Sequence, residues 1–291
     1  MAWSDLEELL ETPGTYIGAG SSYEAAQAVI MGIPMDYTVS FRPGTRLGPQ
    51  SIRNVSSGIE DYSVYLDKVL TDYEYFDCGD LALPFGNVDK SLRIIEEASR
   101  KVLADKKFPI FLGGEHLVTF PLIKPFIESY PDLQVVHFDA HADLRTDYYG
   151  ENNSHATVMR KIAQMLGPKS VYQFGIRSGI REEFLFAKEY THLVTEDVLE
   201  PLREAIPQLK GKPVYVSLDI DVVDPAFAPG TGTQEAGGCT SKEIIKAIHA
   251  LGELNVVGFD LVEVSPTMDS SERTSLLAAK LVREAILSFV K

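Results

Sequence analysis

One α/β domain over residues 1–291, a three-layer α/β/α sandwich on a mostly parallel sheet of about eight strands, is the fold this sequence predicts. Three observations lead there. Apolar, strand-like runs alternate with helix-like segments from end to end, the pattern of a parallel sheet wrapped by helices. Runs such as QVVHF (134–138) and NVVGF (255–259) are too continuous for a half-exposed hairpin and fit strands covered on both faces. No Pro/Gly/Ser-rich linker, repeat or low-complexity stretch divides the chain.

In chain order, strands are expected at 26–33, 74–78, 108–112, 134–139, 170–176, 191–194, 213–219 and 255–262, each an apolar run. Helical patterns at 88–104, 117–129, 155–166, 180–190, 197–209, 241–252 and 272–289 fall between and after them. Pro49, with Gly48 ahead of it, suits the first turn of a further helix. Thr240 and Ser241 offer caps for SKEIIKAIHAL, Glu243 puts an acid in its first turn, and Gly252 can end it.

Three short clusters stand where apolar strands end: His116 in IFLGGEH, then Asp139, His141 and Asp143 in VVHFDAHAD, then Asp219 and Asp221 in VYVSLDID. Strand tips are a poor place for carboxylates unless a cation neutralises them. In open parallel sheets, ligands bind outside the carboxyl ends of the strands. Alternate residues of Asp139–Asp143 share a face if the chain stays extended, and Asp219 and Asp221 repeat that spacing. Gly113 and Gly114 let the backbone turn and approach a ligand closely before His116. Four aspartates and two histidines can hold two divalent ions if some carboxylates bridge. The donor set suits a hard ion such as manganese better than thiolate-loving zinc. The chemistry implied is that of a two-metal hydrolase.

Other residues read differently. His137 should lie on the face of Asp139 but deeper, as a hydrogen-bonded core histidine, and His192 and His249 read as structural. His155, ending a polar loop that leaves the 139–143 cluster, fits either a proton carrier beside the metals or the capped start of a helix. The loop from Asp224 to Thr233 is rigid and suits a pocket wall or a plain crossover. Glu263, at the end of NVVGFDLVE, could pair with a cationic substrate or cap its loop, with Asp260 on the opposite face or deeper. Gly18-Ala19-Gly20 fails as a dinucleotide loop because Tyr23 stands where the third glycine belongs, and neither a phosphate-binding loop nor a serine nucleophile elbow occurs.

Composition narrows the partners. With 27 Lys+Arg against 42 Asp+Glu and no recurrent basic patch, neither nucleic acid nor an anionic membrane is an expected partner. No run approaches a membrane span, and MAWSDLEELLETPG has the features of no targeting peptide. Cys78 and Cys239, two and far apart, fit a reducing compartment, so a cytoplasmic protein is expected.

The clusters resemble the ureohydrolases, the manganese enzymes that include arginase and agmatinase. GGEH (113–116), DAHAD (139–143), SLDIDVVDPAFAPGTGT (217–233) and EVSP (263–266) carry the resemblance, and RPGTRLGPQSIR (42–53) extends it over nearly the whole chain. It implies two Mn2+ per subunit: one held by His116, Asp139, Asp143 and Asp219, the other by Asp139, His141, Asp219 and Asp221. A hydroxide between them would attack the guanidinium carbon. Asp143 would pass its proton to the leaving amine, Glu263 would pair with the guanidinium, and His155 would be the proton shuttle. A homotrimer or hexamer is implied as well. A related deacetylase-type hydrolase would use a single zinc and leave acidic ligands over. A binding protein that had lost catalysis would have no use for the complete set.

The substrate follows from finer features. Loop 144–155 lacks the Asn/Ser/Thr pattern by which arginase-like members hold an amino acid's α-groups, and supplies aromatics and carboxylates suited to an aliphatic chain with a distal ammonium. The SHAT stretch looks like agmatinase, with Ala156 where glycine is usual, and Glu115 replaces an aspartate more often found beside the metal histidine. The resemblance therefore implies agmatine, a small cationic guanidino compound, hydrolysed to urea and putrescine in polyamine synthesis. Arginase, guanidinobutyrase and formiminoglutamase are the alternatives.

Overall fold

The computed structural model describes residues 3–12 and 14–291. Met1, Ala2 and Pro13, part of the stretch read for a targeting peptide, lie outside the described residues. The chain opens with α1 (Trp3–Glu7), β1 (Leu10–Glu11), β2 (Ala28–Ile33), α2 (Gly48–Ser56) and the small ribbon β3 (Tyr62–Ser63) and β4 (Lys68–Val69). It continues through β5 (Tyr75–Leu81), α3 (Val88–Ala104), β6 (Phe108–Gly113), α4 (Thr119–Ser129), β7 (Gln134–Phe138), α5 (Val158–Leu166) and β8 (Val171–Ile176). The last part holds α6 (Arg181–Tyr190), β9 (Thr191–Thr195), α7 (Leu199–Leu209), β10 (Pro213–Asp219), α8 (Ser241–Leu251), β11 (Asn255–Val262) and α9 (Arg273–Phe289).

The central sheet runs β1-β5-β2-β6-β11-β10-β7-β8-β9. Every neighbouring pair is parallel except the short β1, which pairs antiparallel with β5. The eight parallel strands are those expected from the sequence. β1 and the β3–β4 ribbon escape that reading because two residues give no period to detect.

Alternate strand residues enter different cores. Ile30, Ile110, Val136 and Val216 pack with α2, α7, α8 and α9, while Met31, Phe111, Val135 and Tyr215 face the layer of α3 to α6. Both faces are therefore apolar, which is why the strands read as unbroken runs. The helix ends follow local chemistry. Thr240 Oγ1 accepts from Glu243 N at 3.2 Å and the Glu243 carboxylate returns to Thr240 N at 2.8 Å, so Thr240 is the cap and Ser241 the first helical residue. The expected helices at 117–129 and 155–166 each begin with a 3-10 turn, His116–Val118 and His155–Thr157.

The topology opens the centre of the sheet. From β6 the chain crosses to β7 and leaves a gap of two strands, which β10 and β11 later fill by returning over the opposite face. Four adjacent central strands, β6, β11, β10 and β7, thus end side by side. Arg53 of α2 ties that layer to β5, bonding Asp77 through Nε at 2.8 Å and Nη2 at 2.9 Å, and also Asp80.

A second buried charge gives a test of the fold. Burial alone would raise Glu284 on α9, but hydrogen bonds from His249, Arg283 and Ser63 prevail and hold its carboxyl down to about 2. His249 is thus structural, as expected, although its acidic partner is distant in sequence. A depressed carboxyl contributes stability that is complete above its unfolded value near ~4.3 and is lost as pH falls toward the folded one. Glu284→Gln should therefore flatten the acid limb of the unfolding midpoint below about pH 4. Identical acid limbs in the two proteins would contradict this.

Candidate metal centre

The four central strand ends deliver the charged residues. His116 follows β6, Glu263 follows β11, Asp219 is the last residue of β10, and Asp139 follows β7 directly. Beyond Asp139 the chain bends at Ala140, His141 is bridged to Ser178, and Asp143 turns into the left-handed region at φ 53°. After Asp219 it tightens into the 3-10 turn Ile220–Val222, so Asp221 reaches the cluster by a turn rather than by strand alternation. Asp219 accepts from Asp221 N at 2.8 Å and fixes that turn.

The six residues converge. His116 Nδ1 lies 3.1 Å from Asp139 Oδ2, 3.3 Å from Asp143 Oδ2 and 3.3 Å from Asp219 Oδ2. His141 Nδ1 lies 2.9 Å from Asp221 Oδ2 and 3.5 Å from Asp139 Oδ1. One oxygen of Asp139 faces each histidine, the disposition of a carboxylate shared between two ions.

Behind them, His116 Nε2 contacts Ser217 Oγ at 3.1 Å, and that hydroxyl donates to Asp260 Oδ1 at 2.7 Å. Ser217 must then accept from Nε2–H, which leaves Nδ1 with a bare lone pair. That Nδ1 is buried without a hydrogen bond while three carboxylate oxygens face it. Only a cation or a proton relieves such an arrangement, and a hard divalent ion fits the donor set.

The ionisation pattern agrees. Burial and neighbouring carboxylates push Asp143 and Asp219 well above the ordinary range. Asp139 is held well below it: burial opposes this, but the imidazoles of His116, His137 and His141 gathered around it outweigh it. A cluster that retains protons when empty gives them up to a metal.

His137 is the core histidine the sequence suggested. Its Nε2 meets Asp139 Oδ2 at 2.8 Å and its Nδ1 meets Gln173 Nε2 at 3.1 Å, so both nitrogens are engaged. Gly113 and Gly114 serve packing rather than a ligand. A Cβ on Gly114 would fall on the Met35 backbone, and one on Gly113 would strike Val262 and Val118.

A cavity of about 280 Å³ opens above the cluster. Asp143, Asp219, Asp221, His141, Glu263 and His155 all border it. Glu263 has φ 64° and its Oε1 accepts from His116 N at 2.8 Å, while burial and the carboxylates of Glu115 and Asp221 raise it to about 8. Glycine-rich segment 44–48 backs this loop, with Gly44 against Ser265 and Thr267 and Gly48 against the Val264 backbone. Burial pushes His155 down to about 4. Ser154 caps the turn that His155 begins, and His155 also borders the cavity.

The cavity rim differs from expectation. Thr231 and Thr233 confirm the 224–233 loop as a wall. Of loop 144–155, Arg145, Tyr148 and His155 line the cavity, but its acids do not. Tyr148 and Glu151 exchange backbone hydrogen bonds at 2.9 and 3.0 Å, a tight turn that leaves Tyr149 92% exposed and ties Asp147 to Gly150 N. The lining carboxylates come instead from Glu183 and Glu235, which the sequence reading missed. Glu183 looks like an ordinary first-turn helix acid, and only its bond to Leu144 N at 2.8 Å reveals its place.

Comparison with known proteins agrees with this geometry. The model of the arginase family matches residues 26–288. An agmatinase of Bacillus subtilis (strain 168) is 55% identical over 279 residues, 95% of this chain and 96% of its own. A guanidinobutyrase of Pseudomonas aeruginosa is 35% identical over 93% of this chain and 89% of its own. The solved agmatine ureohydrolase of Thermoplasma volcanium superposes with a TM-score of 0.87 at 34% identity, covering 98% of this chain and 97% of that one. From fold, site and likeness over most of both chains, the chain belongs to the arginase family, and is most like its agmatinases.

Proposed function

We propose that this protein is a binuclear manganese amidinohydrolase that converts agmatine and water into putrescine and urea. The observation that carries the reading is the bare, buried Nδ1 of His116 facing three carboxylate oxygens. His116, Asp139, Asp143 and Asp219 would hold one ion, and Asp139, His141, Asp219 and Asp221 the other. The pair would supply Lewis acidity that ionises water near neutral pH.

The protein's own groups then arrange the reaction. The guanidinium carbon is a poor electrophile because its charge is delocalised, so fixed geometry matters most. The Glu263 carboxylate, pinned by His116 N–H, pairs with the guanidinium and turns its carbon toward the cluster. Asp143, at the cavity floor, takes the proton released in the attack and passes it to the leaving amine. His155 Nε2, beside Ser40 Oγ at 3.3 Å, exchanges protons with solvent.

For the substrate's tail, Tyr148 offers an apolar face. The Glu235 carboxylate, which has no hydrogen-bond or ion-pair partner among the described residues, offers a charge for the distal ammonium. One observation favours a second reading, a guanidino acid: Arg145 also lines the cavity. Its charge is already engaged, stacked 5.1 Å from the Tyr148 ring centroid and 3.8 Å from Glu183, which supports agmatine. No helix among the described residues is long and apolar enough to cross a membrane. We place the enzyme in the cytoplasm as a homotrimer or hexamer acting in polyamine synthesis.

Urea release from agmatine, arginine and guanidinobutyrate, and formamide release from formiminoglutamate, after chelation and manganese add-back, test this directly. Agmatine should be preferred. Urea from none of the three guanidines would end the reading, and preference for guanidinobutyrate would move the assignment to the guanidino acid. Asp219→Ala should lose metal and turnover together, because the residue would serve both ions. His155→Ala should keep its metal and lose kcat by roughly 10²-fold. Metal loss in the His155 variant would refute its role as a proton carrier.

A further inference from the structure

Glu115 is fully buried, and no Lys or Arg pairs with it among the described residues. It occupies the N-cap of the turn that carries His116, yet its side chain points away from the cluster, toward the loop after β2. Its Oε1 accepts from Tyr37 N at 2.8 Å and from Thr38 N at 3.1 Å. Its Oε2 accepts from Thr38 N at 3.0 Å and from the Thr38 hydroxyl. Its backbone N–H adds a bond to Met35 O at 2.7 Å. A carboxylate held this way by two amides and a hydroxyl, with the Thr38 amide shared between its two oxygens, is rigid.

Thr38 passes this order on. Its hydroxyl proton goes to Glu115, so its oxygen is left to accept His155 N–H, at 3.2 Å. Its carbonyl lies 2.9 Å from His155 Nδ1. A carbonyl only accepts, so Nδ1 must carry hydrogen, and the neutral ring keeps its lone pair on Nε2, the nitrogen beside Ser40. The Ser154 hydroxyl, 3.3 Å from Nδ1, can adapt to either state, whereas the Thr38 carbonyl cannot.

We propose that Glu115 is a positioning residue: through Thr38 it fixes the ring of His155 and the nitrogen that carries its proton, joining the His116 loop and the proton carrier into one unit. The proposal rests on the reading of His155 as that carrier.

The manganese-loaded variants Glu115→Gln, His155→Ala and their double variant test it. Glutamine keeps the size but sets an NH2 group against N–H and O–H donors. Glu115→Gln should keep full manganese content, change KM for agmatine by less than about twofold and lower kcat about ten- to a hundredfold. Added to His155→Ala, it should cost less than about twofold more, because the group it positions is gone. Full multiplication of the two losses, or manganese loss in Glu115→Gln, would overturn the proposal. An undiminished kcat in His155→Ala would refute the carrier reading itself. A slowed His155→Ala beside an unslowed Glu115→Gln would refute the positioning role alone. Should Glu115→Gln fail to fold, Thr38 carries the test: Thr38→Val should lower kcat as above and Thr38→Ser should restore it, and equal kcat in these two would overturn the proposal.

Discussion

Four aspartates at adjoining strand ends, each less than a tenth exposed, set the terms for the rest of this structure. Removing carboxylates from water costs several kcal/mol apiece unless a cation or a hydrogen-bond network compensates. Asp139 faces both histidines and takes hydrogen bonds from His137 Nε2 and His141 N, so it is the pivot of the cluster. The crossover from β6 to β7, and the later insertion of β10 and β11 between them, bring those carboxylates to one place.

Behind the cluster stands a polar layer that fixes its orientation. Asp260 takes hydrogen bonds from Ser217 and Tyr215, and Ser217 sets the His116 tautomer. Asp221 is anchored by Ala140 N at 2.9 Å, so the β7 and β10 clusters position one another. These partners leave the side chains of the cluster little rotational freedom.

Much of this could be read from the chain because the signals are local. Buried parallel strands give long apolar runs, and a carboxylate that interrupts such a run, as Asp139 and Asp219 do, needs a reason of its own. The sources of His116, the two aspartate pairs and Glu263 followed from that argument together with the family resemblance. What stayed hidden depends on contacts between distant segments. Glu183 and Glu235 look like surface acids until the loops that bring them to the cavity are folded. The sequence of loop 144–155 suggests carboxylates for the pocket, but a tight turn at Tyr148–Glu151 directs them elsewhere. The glycines before His116 read as room for the backbone to approach a ligand, but the Met35 backbone takes the space at Gly114.

The central claim is that the cluster holds two ions that share Asp139. Anomalous diffraction at the manganese edge from crystals of the manganese-loaded protein tests it most directly. The account predicts two peaks per chain, one beside His116 Nδ1 and one beside His141 Nδ1, both in contact with Asp139. A single peak, or a second peak that does not touch Asp139, would contradict it.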